Sequence, residues 1–213
     1  MTEGGNIKKK LIMFDYDGVI VDSGEVFSTT FLAAFRAYGY TGITTREQLM
    51  DLLDGNFYEA LAQLGLSGQA VDTILADAFE RKMREKVAEI RPFRGMQESL
   101  RALSRRNVLT VITSNVSESV KRILEKEDIT CFDEIVGAET ERSKVKKIQK
   151  AMSRYQDLPA YYVGDTKGDM IEGRKAGAAT VAVTWGWHTH EKLIEASPDY
   201  TVHTPAELVT LLS

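Results

Sequence analysis

Two aspartates, Asp15 and Asp17, stand two residues apart in Phe14-Asp15-Tyr16-Asp17-Gly18-Val19, directly behind the apolar run Leu11–Phe14. Anions so close together repel unless they share a cation or one carries a proton. A second acidic pair, Asp165 and Asp169, lies in Gly164-Asp165-Thr166-Lys167-Gly168-Asp169, again just behind an apolar run. Oxygen-only carboxylate ligands suit Mg²⁺, which keeps several waters and favours sites shared with phosphate. Both clusters also have plain structural readings. Acidic residues close strands, Gly18 can supply a turn, and Asp165 or Asp169 can cap a helix. Thr113, Ser114 and Asn115 follow a third apolar run, Val108–Ile112, and precede a helical pattern from Ser117. Hydroxyls and free backbone N–H groups at a helix amino terminus hold phosphate, or they serve as an N-cap. Lys144, Lys146, Lys147 and Lys150 read as a solvated helix face. Lys144 nonetheless sits where a strand near Ile135 and Val136 brings the chain back to the same sheet edge.

These groups need a scaffold that brings distant segments together. Short apolar runs stopped by polar residues or glycine predict buried strands at Leu11–Phe14, Val108–Ile112, 161–163 and 180–183. Helical patterns fall between and after them, at 96–105, Ser117–Lys126, 144–153, 169–176 and Pro205–Leu212. Alternating strands and helices predict an α/β fold, a doubly wound Rossmann-like parallel sheet with ligands at the carboxyl ends of its strands. Residues 22–91 break the alternation with helical periodicity alone, including one long amphipathic pattern over 71–87. The expected organisation is a core of 1–21 and 92–213 carrying a helical insert of 22–91, hinged after Val21 and at Arg91-Pro92. Phe27, Phe31 and Phe35 share a helical face and are expected to pack the insert.

Composition narrows the classes. The 213 residues fit one large domain or a core with an insert, and 43% hydrophobic with 27% charged residues excludes a disordered or fibrous chain. A net charge of -4 gives no global positive field, so neither nucleic acid nor an anionic membrane is an expected partner. Cys131 is the lone cysteine, which rules out an intramolecular disulfide or a multi-thiolate zinc site and fits a reducing compartment, the cytoplasm. The basic start MTEGGNIKKK is followed by an apolar stretch broken at Asp15 and Asp17, so neither a signal peptide nor a membrane span is expected there.

In this order the four clusters resemble the motifs of the haloacid dehalogenase superfamily of phosphotransferases, over essentially the whole chain. D-x-D-G matches Asp15, Asp17 and Gly18; the strand-end hydroxyl matches Thr113; the lysine matches Lys144; and G-D-x-x-x-D matches Gly164, Asp165 and Asp169. Many relatives carry K-P-x-P at the third motif, whereas Ser143-Lys144-Val145-Lys146-Lys147 leaves Lys147 as a substitute. The resemblance implies that Asp15 is the nucleophile forming an aspartyl-phosphate and that Asp17 is the general acid and base. It also implies that Thr113, backbone near Ser114, and Lys144 bind the phosphoryl group. Mg²⁺ would be held by Asp15, the Asp17 backbone carbonyl and Asp165, with Asp169 a ligand through water or an orienting residue.

The insert is similar to the cap of the subgroup containing phosphoglycolate phosphatases and β-phosphoglucomutases. "VAVTWGW" followed by "PDYTVHTPAEL" is similar to the phosphoglycolate phosphatase branch. The implied activity is a Mg²⁺-dependent phosphatase of a small phosphorylated metabolite, with 2-phosphoglycolate the leading substrate and a monomer or homodimer as its form. The alternatives are a phosphosugar mutase and a non-enzymatic phosphoacceptor switch. Asp17 argues against carbon–halogen cleavage, and the lack of lysine over 52–57 argues against phosphonate cleavage. The cap loop 51–56 is expected to meet substrate. His188 and His190 are expected in a solvated loop, and Cys131 in the core beside Phe132.

Overall fold

The computed structural model describes residues 9–66, 68–81 and 87–213. The basic amino terminus lies outside them, as do positions 82–86 of the helix predicted over 71–87. Strand β1 (Leu11–Phe14) is wholly buried and ends in a tight turn at Gly18, where φ is +76°. The chain then forms β2 (Val21–Asp22) and the helices α1 (Gly24–Ala37), α2 (Arg46–Asp51), α3 (Phe57–Gln63) and α4 (Gln69–Arg81). Thr45 and Gln48 close a capping box on α2, and Asn56 caps α3 through the Glu59 N–H. The chain returns through β3 (Arg91–Pro92), which pairs antiparallel with β2, Val21 opposite Pro92. The two crossings between insert and core are thus tied to each other.

From there strands and helices alternate: α5 (Met96–Ser104), β4 (Val108–Ile112), α6 (Ser117–Lys126), β5 (Glu134–Val136), α7 (Lys144–Arg154), β6 (Ala160–Gly164), α8 (Lys167–Ala176), β7 (Ala179–Val183), α9 (His190–Ile194), β8 (Tyr200–Val202) and α10 (Pro205–Leu212). Six strands make one parallel sheet in the order β5-β4-β1-β6-β7-β8. The strand order reverses at β1, so the carboxyl ends of β1, β4 and β6 bound the crevice where doubly wound sheets bind ligands.

The sheet is buried on both faces because successive side chains point to opposite sides. Ile12 and Phe14 pack with Leu100 and Leu103 of α5, Val120 and Leu124 of α6, and Leu208 and Leu212 of α10. Leu11 and Met13 pack on the other face with Ile148 and Ala151 of α7 and Ala176 of α8. The insert has its own apolar cluster, which includes Phe35, Leu49, Leu61, Val71 and Ile74. Cys131 is a half-buried free thiol packed with Phe132 against the first of these cores. Among the described residues no helix is long and apolar enough to cross a membrane.

Three features are absent from the sequence-based expectation. Strands β2 and β3 have two residues each, too few to show a periodicity. The edge strand β8 is only partly buried and follows polar residues. Helix α9 has five residues and starts at a Thr189 cap. A cavity left in the core should be costly: Leu109→Ala, at a side chain with no exposure, is expected to destabilise by about 2–5 kcal/mol, read as a lower denaturant midpoint at unchanged slope.

Candidate active site

The turn after β1 aims Asp15 and Asp17 in different directions. The Gly18 N–H donates to the Val21 carbonyl and the Ile20 N–H to that of Tyr16, which folds the chain back on itself. Asp15 is buried; its Oδ1 accepts the Tyr16 N–H at 2.7 Å and its Oδ2 accepts the Lys144 ammonium at 2.7 Å. The Asp17 carboxylate instead accepts from Ser23 Oγ at 2.6 Å and from the Asn115 side-chain amide. The Asn115 amide also donates to Thr113 Oγ1 at 3.2 Å, so the ends of β1 and β4 are joined through one side chain.

Lys144, the first residue of α7, spans Asp15 and Asp169, its Nζ lying 2.6 Å from Asp169 Oδ1. Asp169 is fully committed elsewhere too. Its Oδ2 accepts from the Thr166 hydroxyl at 2.6 Å and the Thr166 N–H at 3.1 Å, while the Tyr162 hydroxyl reaches Oδ1 at 3.2 Å. This is the capping box of α8, and it fixes the Asp169 carboxylate beside Lys144. Lys147, one helical turn further on, is buried behind the site and donates to the Thr113 main-chain carbonyl. Of the two lysines the sequence leaves open, Lys144 is the one that lines the cavity and meets Asp15.

Asp165 has no exposed surface, and glycines surround it. A Cβ on Gly18 would fall 2.0 Å from Asp165 Oδ2, and one on Gly186 2.2 Å from its Cβ. Its Oδ2 accepts the Trp187 N–H at 2.7 Å, whereas Oδ1 is buried with no hydrogen-bond partner. Oxygens of Asp15, Asp165 and Asp169 lie within 4.8 Å of one another, all three residues buried. Three buried carboxyl groups have one ammonium, Lys144, among them, and one Asp165 oxygen is orphaned. Hard oxygen donors in that state fit a divalent cation of the Mg²⁺ type. The Asp17 carboxylate stands outside this cluster.

Electrostatics follow the burial. Desolvation, then Asp169 and Asp15, hold the Asp165 carboxyl well above the ordinary carboxylate range. Burial also lifts Asp15, offset in part by Lys144, to about 7. Burial works against the charge of Asp169 as well, but Lys144 and the Thr166 bonds hold its carboxyl below the usual value. Burial opposes the charge of Lys144, which Asp15 and Asp169 keep protonated.

Thr113 is buried, and Ser114 and Asn115 line the cavity ahead of α6. From the insert, Leu53, Gly55 and Asn56 reach the same cavity. Phe27 and Phe31 pack the insert and also face the cavity, whereas Phe35 is purely internal.

The expectation of a solvated His188 is corrected: the ring is buried, 3% exposed. Its Nδ1 accepts the Lys167 N–H at 3.0 Å and its Nε2 lies 3.2 Å from the Met50 carbonyl of the insert, a neutral ring bridging cap and core. Burial accordingly depresses its pKa. His190 remains exposed. Other bridges are Asn56 to Glu172 at 3.1 Å, and Lys192 to Asp51 at 2.7 Å and Asp54 at 2.6 Å. At Gly168 a Cβ would lie 2.6 Å from the Gly55 carbonyl oxygen and 2.7 Å from that of Leu53. These partners escaped the sequence reading, although Asn115, Thr166 and Gly168 lie within the motif strings themselves.

Two outcomes are expected. Because the Asp15 carboxyl is raised from 3.8 to about 7, the stability it lends is complete below pH 4 and lost as pH rises through 7. Without divalent cation, Asp15→Asn should therefore melt several degrees above the parent at pH 8 and close to it at pH 4, by scanning calorimetry. Gly168→Ala should push the insert loop away, lowering the melting temperature by several degrees and kcat/KM roughly tenfold, since misplacement of about 1 Å can cost far more.

Among known proteins, a phosphoglycolate phosphatase of Synechococcus elongatus is 27% identical over 202 residues, covering 93% of this chain and 94% of that protein. One from Vibrio vulnificus is 26% identical over 220 residues, covering 95% and 96%. The solved structure of a haloacid dehalogenase-like family hydrolase from Streptococcus pneumoniae superposes with a TM-score of 0.79 at 25% identity, over 96% of this chain and 99% of that one. Residues 12–183, from within β1 to the end of β7, match the haloacid dehalogenase-like hydrolase family, the stretch that carries all four clusters. With its fold, strand-end carboxylates and inserted helices as described, the chain belongs to the haloacid dehalogenase-like hydrolases.

Proposed function

We propose that this protein is a Mg²⁺-dependent phosphatase that hydrolyses a small phosphomonoester through an aspartyl-phosphate on Asp15, with 1–21 and 92–213 as catalytic core and 22–91 as cap. As a member of a hydrolase family with full-length relatives named for phosphatase activity, the chain is a phosphoric monoester hydrolase. The observation that carries the finer reading is the buried cluster of Asp15, Asp165 and Asp169 around Lys144, with one Asp165 oxygen lacking a partner.

In this reading the Asp15 carboxylate attacks phosphorus while the bond to the alcohol oxygen breaks, and Asp17 gives that oxygen its proton. Asp17 then takes a proton from water, whose oxygen attacks phosphorus and releases inorganic phosphate and free Asp15. Ser23 and Asn115 hold the Asp17 carboxylate apart from Asp15, so acid and nucleophile stay distinct. Lys144 counters charge on Asp15 and the phosphoryl oxygens, and Thr113 with backbone near Ser114 supplies further donors. Mg²⁺, held by Asp15, Asp165 and the Asp17 carbonyl, would neutralise developing negative charge on the phosphoryl oxygens. The bridges from His188, Lys192 and Glu172 keep the cap over the site and water out.

The names of the relatives make 2-phosphoglycolate the first ester to assay, with a small phosphorylated metabolite in the cytoplasm as the partner and a monomer or homodimer as the working form. Phosphate release should require Mg²⁺ and stop on chelation. Asp15→Asn should show no turnover, and Asp17→Asn should lower kcat by about 10²–10⁴-fold. Undiminished turnover in Asp15→Asn, or indifference to chelation, would sink this mechanism.

A further inference from the structure

The cavity at Asp15 extends beneath the cap to a volume of about 160 Å³. One water needs about 10–15 Å³ of such space, so there is room for a phosphoryl group and roughly a ring beside it. The two ends differ in chemistry. The core end carries the carboxylates and Lys144, whereas the cap end is lined by Phe27, Phe31, Leu53, Phe57, Leu75 and, from the core, Trp187. Phe27 stacks on Trp187 at 4.6 Å and lies 4.3 Å from Phe31, which meets Phe57 edge-on at 5.8 Å. Rings from α1, α3 and the loop after β7 therefore form one apolar wall.

Charge selects against other leaving groups. The cations lining the cavity, among the described residues, are Lys144 and Arg142. Lys144 is committed to Asp15 and Asp169. Arg142 is paired with Asp72 at 3.0 Å and lies over the Tyr58 ring at 5.5 Å. A carboxylate on the leaving group would enter among Asp17, Glu172 and aromatic rings, with Lys144 taken and only Arg142, exposed and already paired with Asp72, to meet it. A cationic group would meet Asp17, Glu172 and the ring faces, but against the repulsion of Lys144 and Arg142. A polyol would bury hydroxyls against the rings, at a cost for each one that Ser114, Asn115 or Trp187 Nε1 does not reach, since the Asn56 side chain already serves Glu59 and Glu172. A neutral ring gains both burial and edge or offset ring contacts.

We propose that the cap selects a neutral, apolar ring: the preferred substrates are phosphomonoesters of aromatic or cyclic apolar alcohols. This rests on the phosphatase reading and names the substrate class for the same site. The overall step is hydrolysis at phosphorus, in which water supplies the oxygen to phosphate and the alcohol leaves with a proton.

The test compares kcat/KM with Mg²⁺ for benzyl phosphate, ethyl phosphate, 2-phosphoglycolate, glycerol phosphate and choline phosphate, all esters of alcohols rather than phenols. Benzyl phosphate should exceed each of the others by about tenfold or more. Phe31→Ala, which opens the wall, and Leu75→Trp, which fills the cavity, should each lower the benzyl-to-ethyl ratio about tenfold. The ratio within one preparation is insensitive to the fraction folded. Calorimetric binding of benzylphosphonate against methylphosphonate reads the cavity without turnover and should show the same preference. A benzyl-to-ethyl ratio near one, or a preference for 2-phosphoglycolate, glycerol phosphate or choline phosphate, overturns the ring proposal and leaves the phosphatase reading intact. Tight benzylphosphonate binding with no phosphate release from any ester would overturn the phosphatase reading instead, and absence of both would overturn the two together.

Discussion

Three buried carboxyl groups crowd within 4.8 Å of one another at the place where the strand order reverses, and much of the surrounding structure serves to keep them there. Asp15 comes from the end of β1, Asp165 follows β6 and Asp169 stands in the first turn of α8. Lys144 opens α7 and reaches two of the three. Such a set is unstable in isolation, because desolvating a carboxylate costs more than one neighbouring ammonium returns. The local structure accordingly supplies what it can: the Tyr16 N–H to Asp15, the Trp187 N–H to Asp165, and Thr166 with Tyr162 to Asp169. One oxygen of Asp165 is left over, a residual demand that a cation of the Mg²⁺ type would meet.

The two lysines of α7 illustrate how one helix divides labour by position. Lys144 lies at the first turn and faces the carboxylates, whereas Lys147 lies one turn on, beneath the sheet edge, and secures the carbonyl of Thr113. Burial and the neighbouring Lys144 push the Lys147 ammonium down to about 8, as expected for a cation without its own carboxylate. The strand end that carries Thr113 is thereby tied to the helix that carries Lys144.

Insert and core meet through small residues, polar bridges and the stacked Phe27–Trp187 pair. Gly168 admits the carbonyls of Leu53 and Gly55 where any side chain would collide, and neutral His188 joins the Lys167 amide to the Met50 carbonyl. Asn56 both caps α3 and bonds Glu172, so the start of a cap helix is fixed by a core side chain. The apolar wall beside these contacts includes Trp187, which follows the Gly186 that crowds Asp165. The segment after β7 therefore touches both the acidic cluster and the cap.

The strand-end placement of Asp15, Thr113 and Asp165, and the helical insert, were legible in the sequence because each depends on local patterning: apolar runs of strand length, turn residues behind them, and helical periodicity between. Asp165 also stood out because an acidic residue behind a buried strand is chemically conspicuous. What the sequence could not decide was which groups finally share a bond. The choice of Lys144 over Lys147 toward Asp15, the burial of His188 and the double duty of Phe27 and Phe31 all depend on contacts between residues far apart in the chain. Such contacts are set by how helices dock on the sheet and how the cap rests on the core, and periodicity carries no record of them. A histidine in a polar loop looks solvated until a second element closes over it, and an apolar helix face looks like packing until a cavity opens beside it.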